Sequence, residues 1–247
     1  MRPDVVDLRE FYHGPTGRVA RNLLREEIRR IWPHLERQSV LGLGYAIPYL
    51  APFRGEAERV IALMPAQQGI SRWPEDEANL VALCEEHDLP LPDASIDRVL
   101  MVHALENAEN VRALLREVWR VLGPGGRLLA VVPNRRGLWS RFERTPFGQG
   151  RPYSQGQLSR LLRDAMFQPT DRAAALYLPP FRSRLLLRTA PIWERIGRSL
   201  GSTVAGALVI EADKQVYAVS TVGLANRARR RRAPVAIAGG TATRAPG

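Results

Sequence analysis

Cysteine and lysine are nearly missing from this chain. Cys84 is the only cysteine among 247 residues, so no intrachain disulfide and no cysteine-built zinc site can form. A reducing compartment is the natural expectation, and no metal centre is expected. Lys214 is the only lysine, although the net charge is +11. The positive charge is therefore carried by arginine. Codon drift in a GC-rich bacterial genome would produce this bias; so would a basic surface for nucleic acid, anionic lipid or a phosphorylated substrate. Long apolar runs are also lacking, since none nears the roughly 20 residues of a membrane span. Met1 to Glu10 is charged and lacks the apolar core of a signal peptide, so a cytoplasmic protein is expected. There is no internal repeat.

Short apolar runs alternate with helical segments. The first 35 residues look helical, with Val19, Leu23, Leu24, Ile28 and Ile31 spaced on one face between Pro15 and Trp32. Strand-like runs follow at Ser39–Leu43, Arg59–Met64, Leu80–Cys84, Ile96–Val102 and Gly126–Val132, and helical spacing recurs over Val111–Leu122. The alternation predicts a parallel sheet covered on both faces. Residues 134–153 form an arginine- and glycine-rich stretch that reads as a lid-like loop. A helix over Ser154–Phe167, with Ser154 as N-cap, and a strand over Ala173–Leu178 come next. Residues 182–200 form an arginine-studded amphipathic helical insertion, and Ala207–Ala212 a last strand. One domain over residues 1–225 and a disordered basic tail over 226–247 are expected.

Three stretches carry a family signature: Asp88-Leu-Pro followed by the Pro92-Asp-Ala-Ser-Ile-Asp97 turn; Val102-His103-Ala-Leu-Glu106 after the fourth run; and Leu115-Arg-Glu-Val-Trp-Arg-Val-Leu-Gly-Pro-Gly-Gly-Arg127. Together with the exit Val132-Pro-Asn134, they resemble class I S-adenosylmethionine-dependent methyltransferases. The closest resemblance is to the branch acting on small molecules, quinones and lipids. It implies a three-layer α/β Rossmann-like sheet, mostly parallel with an antiparallel last strand, helices on both faces, and S-adenosylmethionine as cofactor. The clear match runs from about Ser39 to Asn134. In such sheets ligands bind beyond the carboxyl ends of the strands, where strand order reverses. Gly44, Met64, Asp88 and His103 each follow an apolar run and are expected to line that crevice.

The resemblance makes Gly42, Gly44, Tyr45, Ala46, Met64, Gln67, Asp88, Leu89 and His103 the cofactor-binding candidates, and His103 the candidate base. Asp88 would reach the adenine amino group or simply cap a turn; His103 would touch cofactor or substrate or be held by backbone. Glu106 reads as a helix cap or pocket residue, Asp97 as a turn former. Tyr12 and His13 read as a surface turn, with a pocket lid as the alternative. The pattern also departs from the family, which usually has an acid where Gly42 stands and glycines where Ala46 and Pro48 stand. About 20 residues beyond Gly44, where dinucleotide-type sites place a ribose-binding acid, stands Met64. Gln67 or Gln68 is the nearest polar substitute.

Three functions remain open on this reading. The first is a methyltransferase for a small or lipid-like acceptor, with the basic 135–151 stretch as substrate lid. The second is a binding or regulatory protein that kept the fold and lost the cofactor, with a protein partner or a homodimer. The third is a basic RNA- or ribosome-associated protein using the 135–151 stretch and the Arg227–Arg232 run. No Asn-Pro-Pro-aromatic run follows the fourth strand, and no Pro-Cys nucleophile is present, which disfavours methylation of base amino groups and of cytosine C5.

Overall fold

The computed structural model describes residues 3–181 and 183–216. The chain opens with α1 (Val5–His13) and α2 (Pro15–Ile31), followed by β1 (Ser39–Gly44), α3 (Ile47–Leu50), β2 (Arg59–Pro65) and β3 (Val81–Cys84). Then come β4 (Ile96–Val102), α4 (Val111–Val121), β5 (Leu122–Pro133), α5 (Gln155–Asp164), β6 (Phe167–Ala175), α6 (Arg184–Leu187), α7 (Ala190–Leu200) and β7 (Ala207–Lys214). The expected tail, 226–247, lies outside the described residues. None of the described helices is long and apolar enough to cross a membrane.

The strands form one sheet in the order β3-β2-β1-β4-β5-β7-β6. β1 through β5 run parallel, and β7 pairs antiparallel with both β5 and β6. This is the Rossmann-like arrangement the sequence implied. β1 is buried along its whole length, as a central parallel strand covered on both faces must be. Its alternate side chains feed two cores. Val40 joins the cluster with α1, α2 and α3; Leu41 and Leu43 join the cluster with α4 and α5.

Local chemistry sets the boundaries. Asp4 caps α1 by accepting from the Val6 and Asp7 amides at 2.9 Å. Gly14 ends α1, and Pro15 takes the first turn of α2, where its missing donor costs nothing. Ser154 and Gln157 close a capping box on α5. The sixth strand begins at Phe167, six residues before the expected Ala173. Its antiparallel pairing with β7 carries it past Pro169 at a register shift.

Candidate functional site

Strand order reverses between β1 and β4, and their ends define the crevice. Gly44 pairs with Val102, which sets His103 beside the β1 turn. Gly44 has φ +78°, and a side chain there would overlap the Val102 carbonyl. His103 is itself left-handed, at φ 53°, an uncommon state for a non-glycine residue that turns the chain sharply after β4.

His103 is 1% exposed, and both its ring nitrogens are engaged. Nδ1 lies 2.9 Å from Glu106 Oε1, and Nε2 lies 2.8 Å from the Tyr12 hydroxyl. Tyr49 donates its hydroxyl to Tyr12 at 2.9 Å. Burial raises the Tyr12 and Tyr49 phenols above their ordinary range and pushes Tyr45 up to about 12. The phenols therefore stay protonated and donate. Assigning Nδ1–H to Glu106 leaves Nε2 to accept from Tyr12, which completes a buried Tyr49–Tyr12–His103–Glu106 chain. In this arrangement His103 has no free nitrogen to act as a base.

Tyr12 and His13 were expected to form a surface turn. Instead both lie in α1, and Tyr12 is buried over the crevice, stacked on Tyr45 with ring centroids 5.7 Å apart. Phe147, from the 134–153 stretch, packs edge-on against His103 at 5.0 Å and against Trp139 at 5.5 Å. That stretch is thus built into the fold. Asn134 Nδ2 donates to the Ser202, Thr203 and Ala205 carbonyls, and Trp139 Nε1 donates to the Leu178 carbonyl at 2.6 Å. Arg135, Arg136, Arg141, Arg144 and Arg151 face solvent.

The other candidates divide. Gly42 packs against α3; a β-carbon there would stand 2.5 Å from Leu50 Cδ1 and 2.9 Å from Ala46 Cβ. Leu50 thus fills the space that the family's acid would need. Ala46 and Met64 are fully buried, and Met64 belongs to the core, so it offers no ribose partner. Gln67 is exposed, 3.4 Å from Glu85. Gln68 is the inward glutamine, donating to the His103 carbonyl at 3.1 Å. Asn107 donates to the same carbonyl at 3.0 Å. Asp88 is exposed on a tight turn in which the chain bridges Glu85 to Asp88. Leu89 is buried on the opposite face of the sheet, its amide held by Glu117 at 2.9 Å. Asn110, not Glu106, caps α4. Asp97 accepts from the Ser39 amide at 2.8 Å and ties β4 to the start of β1.

Sequence reasoning missed Glu86, Asn107 and Phe147. Glu86 stands two residues past the end of β3, and its Oε2 accepts from the Glu109 amide at 2.8 Å. It lines a small cavity with Pro3, Pro65, Gln68, His103 and Asn107. That cavity holds about 10 Å³, no more than one water needs. Sites for small molecules occupy about 300–1,000 Å³. Buried acceptors nevertheless remain: Gln68 Oε1 and Asn107 Oδ1 on its wall, and Glu106 Oε2 behind His103, have no hydrogen-bond partner among the described residues.

A methyltransferase-domain family model matches residues 41–130, which span β1 to β5. Over that span the chain is similar to the class I S-adenosylmethionine-dependent methyltransferases. A demethylmenaquinone methyltransferase of Tropheryma whipplei is 52% identical over 42 residues, 17% of this chain and 18% of that protein. A probable S-adenosylmethionine-dependent methyltransferase of Mycobacterium tuberculosis is 30% identical over 164 residues, 62% of this chain and 57% of that protein. The chain therefore matches less than two thirds of the length of either relative. Among solved structures, a methyltransferase of Thermotoga maritima shares the fold, with a TM-score of 0.60 and 18% identity, covering 85% of this chain and 96% of that one. The family's cofactor is S-adenosylmethionine. The residues of the crevice as it stands do not leave room for it, although their unpaired acceptors match its hydroxyl and ammonium donors in kind.

Proposed function

We propose that this chain is a cytoplasmic S-adenosylmethionine-dependent methyltransferase for a small, amphipathic acceptor, and that the filled crevice is its closed, ligand-excluding form. The buried acceptors carry this reading. An unpaired buried acceptor costs roughly 1–3 kcal/mol, a penalty that a donor-bearing ligand relieves. Gln68 and Asn107 place their amide donors on the His103 carbonyl, and opening the crevice would free that carbonyl as well. The kinship with a demethylmenaquinone methyltransferase supports an amphipathic acceptor. The protein's own contribution would be to orient the ligand through these fixed carbonyls and amides and to exclude water with Tyr12 and Phe147.

A second reading rests on the filling itself. Leu50, Tyr45, Met64 and Tyr12 occupy the β1–β2 side so fully that a scaffold without cofactor would look the same. Calorimetry of the full chain with S-adenosylmethionine and with its demethylated product separates the two. Saturable binding of both supports the enzyme. No heat at millimolar ligand leaves the scaffold.

A further inference from the structure

Exposed apolar side chains concentrate in one place. Leu185 and Leu186 of α6 are 73% and 46% exposed; Ile192, Trp193 and Ile196 of α7 are 59%, 41% and 52% exposed. The inward side of α7 explains how the helix is held. Ala190 is buried, Glu194 is 4% exposed and accepts from the Tyr177 amide at 2.7 Å, and Gly197 lies so close to the Tyr177 ring that any side chain there would overlap it. Ile192 and Ile196, four residues apart, stand together on the outward side. A docked helix that still presents such a row to solvent has an apolar face in search of a partner.

Charge says what covers it. Residues 179–204 contain five arginines and a single acid, Glu194, which is turned inward and buried. Arg188 and Arg195 are exposed beside the apolar row and make no ion pair among the described residues. A protein partner would offer the row mixed charges. A surface that is apolar below and uniformly anionic above matches it better, with the arginines at the headgroups and the isoleucines, leucines and Trp193 in the acyl boundary. Trp193 suits such an interface, having an apolar ring and one polar N–H. We propose that α6 and α7 form a docking surface for an anionic phospholipid bilayer, along which the chain lies without spanning it. This inference does not depend on the cofactor question.

The test is flotation of the full chain with vesicles of phosphatidylcholine mixed with phosphatidylglycerol, and with phosphatidylcholine alone, while tryptophan emission is followed. Three comparisons accompany it: Ile192→Glu/Ile196→Glu, Leu185→Glu in case the double change unfolds, and a chain truncated after Asn226. The proposal expects binding to the anionic vesicles, a blue shift that Trp193→Phe removes, and a loss of affinity of roughly tenfold or more in the glutamate variants with unchanged circular dichroism. It expects the truncated chain to retain apolar-face binding. Binding that survives the glutamate substitutions but vanishes on truncation would assign it to the tail and overturn the proposal. So would a failure of the full chain to float, or a dimer in solution that the glutamate variants split.

Discussion

The two sides of the crevice are built by opposite means. On the β1–β2 side, carbon fills the space: Leu50 abuts Gly42, Met64 is core, and Tyr45 lies beneath the Tyr12 ring. Around the end of β4, polar groups hold one another: Glu106 holds His103, while Asn107 and Gln68, the latter reaching over from the end of β2, share its carbonyl. Where the family usually places its acids, apolar side chains fill the volume, whereas buried acceptors line the space around His103.

Restoring an acid is the strongest way to break this comparison. Gly42→Asp would drive a carboxylate into Leu50 and bury it unpaired, so a loss of at least about 3 kcal/mol in denaturant unfolding is expected. If the variant is stable and binds cofactor more tightly, the β1 side is not filled as described. Phe147→Ala removes the ring that seals His103 and should cost about 3–5 kcal/mol in the same assay. Tyr12→Phe keeps the ring and removes one hydroxyl from the buried chain. It should cost roughly 1–3 kcal/mol by leaving Tyr49 and His103 without a shared partner, and it should alter the His103 imidazole resonances in NMR.

The smallest effect concerns the clasp below β4. Arg120 pairs with Glu117 and holds the Leu89 and Leu91 carbonyls, and its hydrogen bonds to the Glu117 carboxylate keep that carboxyl below the usual range. A lowered folded-state value means that the ion pair stabilises the protein above the unfolded carboxylate value. That stability fades as pH falls through the lower folded value. Glu117→Gln should therefore cost about 1 kcal/mol at neutral pH, a deficit that disappears in acid. A deficit independent of pH would contradict the assignment.

Much of the sheet could be read from the chain, because apolar runs bounded by Pro and Gly turns mark buried parallel strands. The 96–102 run matches β4 residue for residue. The site was less legible, for reasons of reach and direction. Nothing in the spacing of Tyr12 shows that α1 folds back across 91 residues to His103. Gln67 and Gln68 are chemically alike, and only the turn over Ala66–Gln68 decides which one faces inward. Asp88 looked right by motif, but the Glu85–Asp88 bridge turns it to solvent and leaves Glu86 on the crevice. Glu106 followed β4 as a cap would, yet the positive φ of His103 brings it under the imidazole.

The central claim is that α1 shuts a ligand crevice and must move for anything to bind. A β-carbon at Gly69 would stand 3.7 Å from Val5 Cβ, within disulfide range. Cys84 is buried, and its thiol is pushed up to about 12 by burial, so it will not compete. In a Val5→Cys/Gly69→Cys variant, cofactor affinity can be measured by calorimetry in the reduced and the oxidised form of one protein, so any strain at Gly69 is common to both. The account predicts binding when reduced and none when oxidised. Equal affinity in the two forms would contradict it.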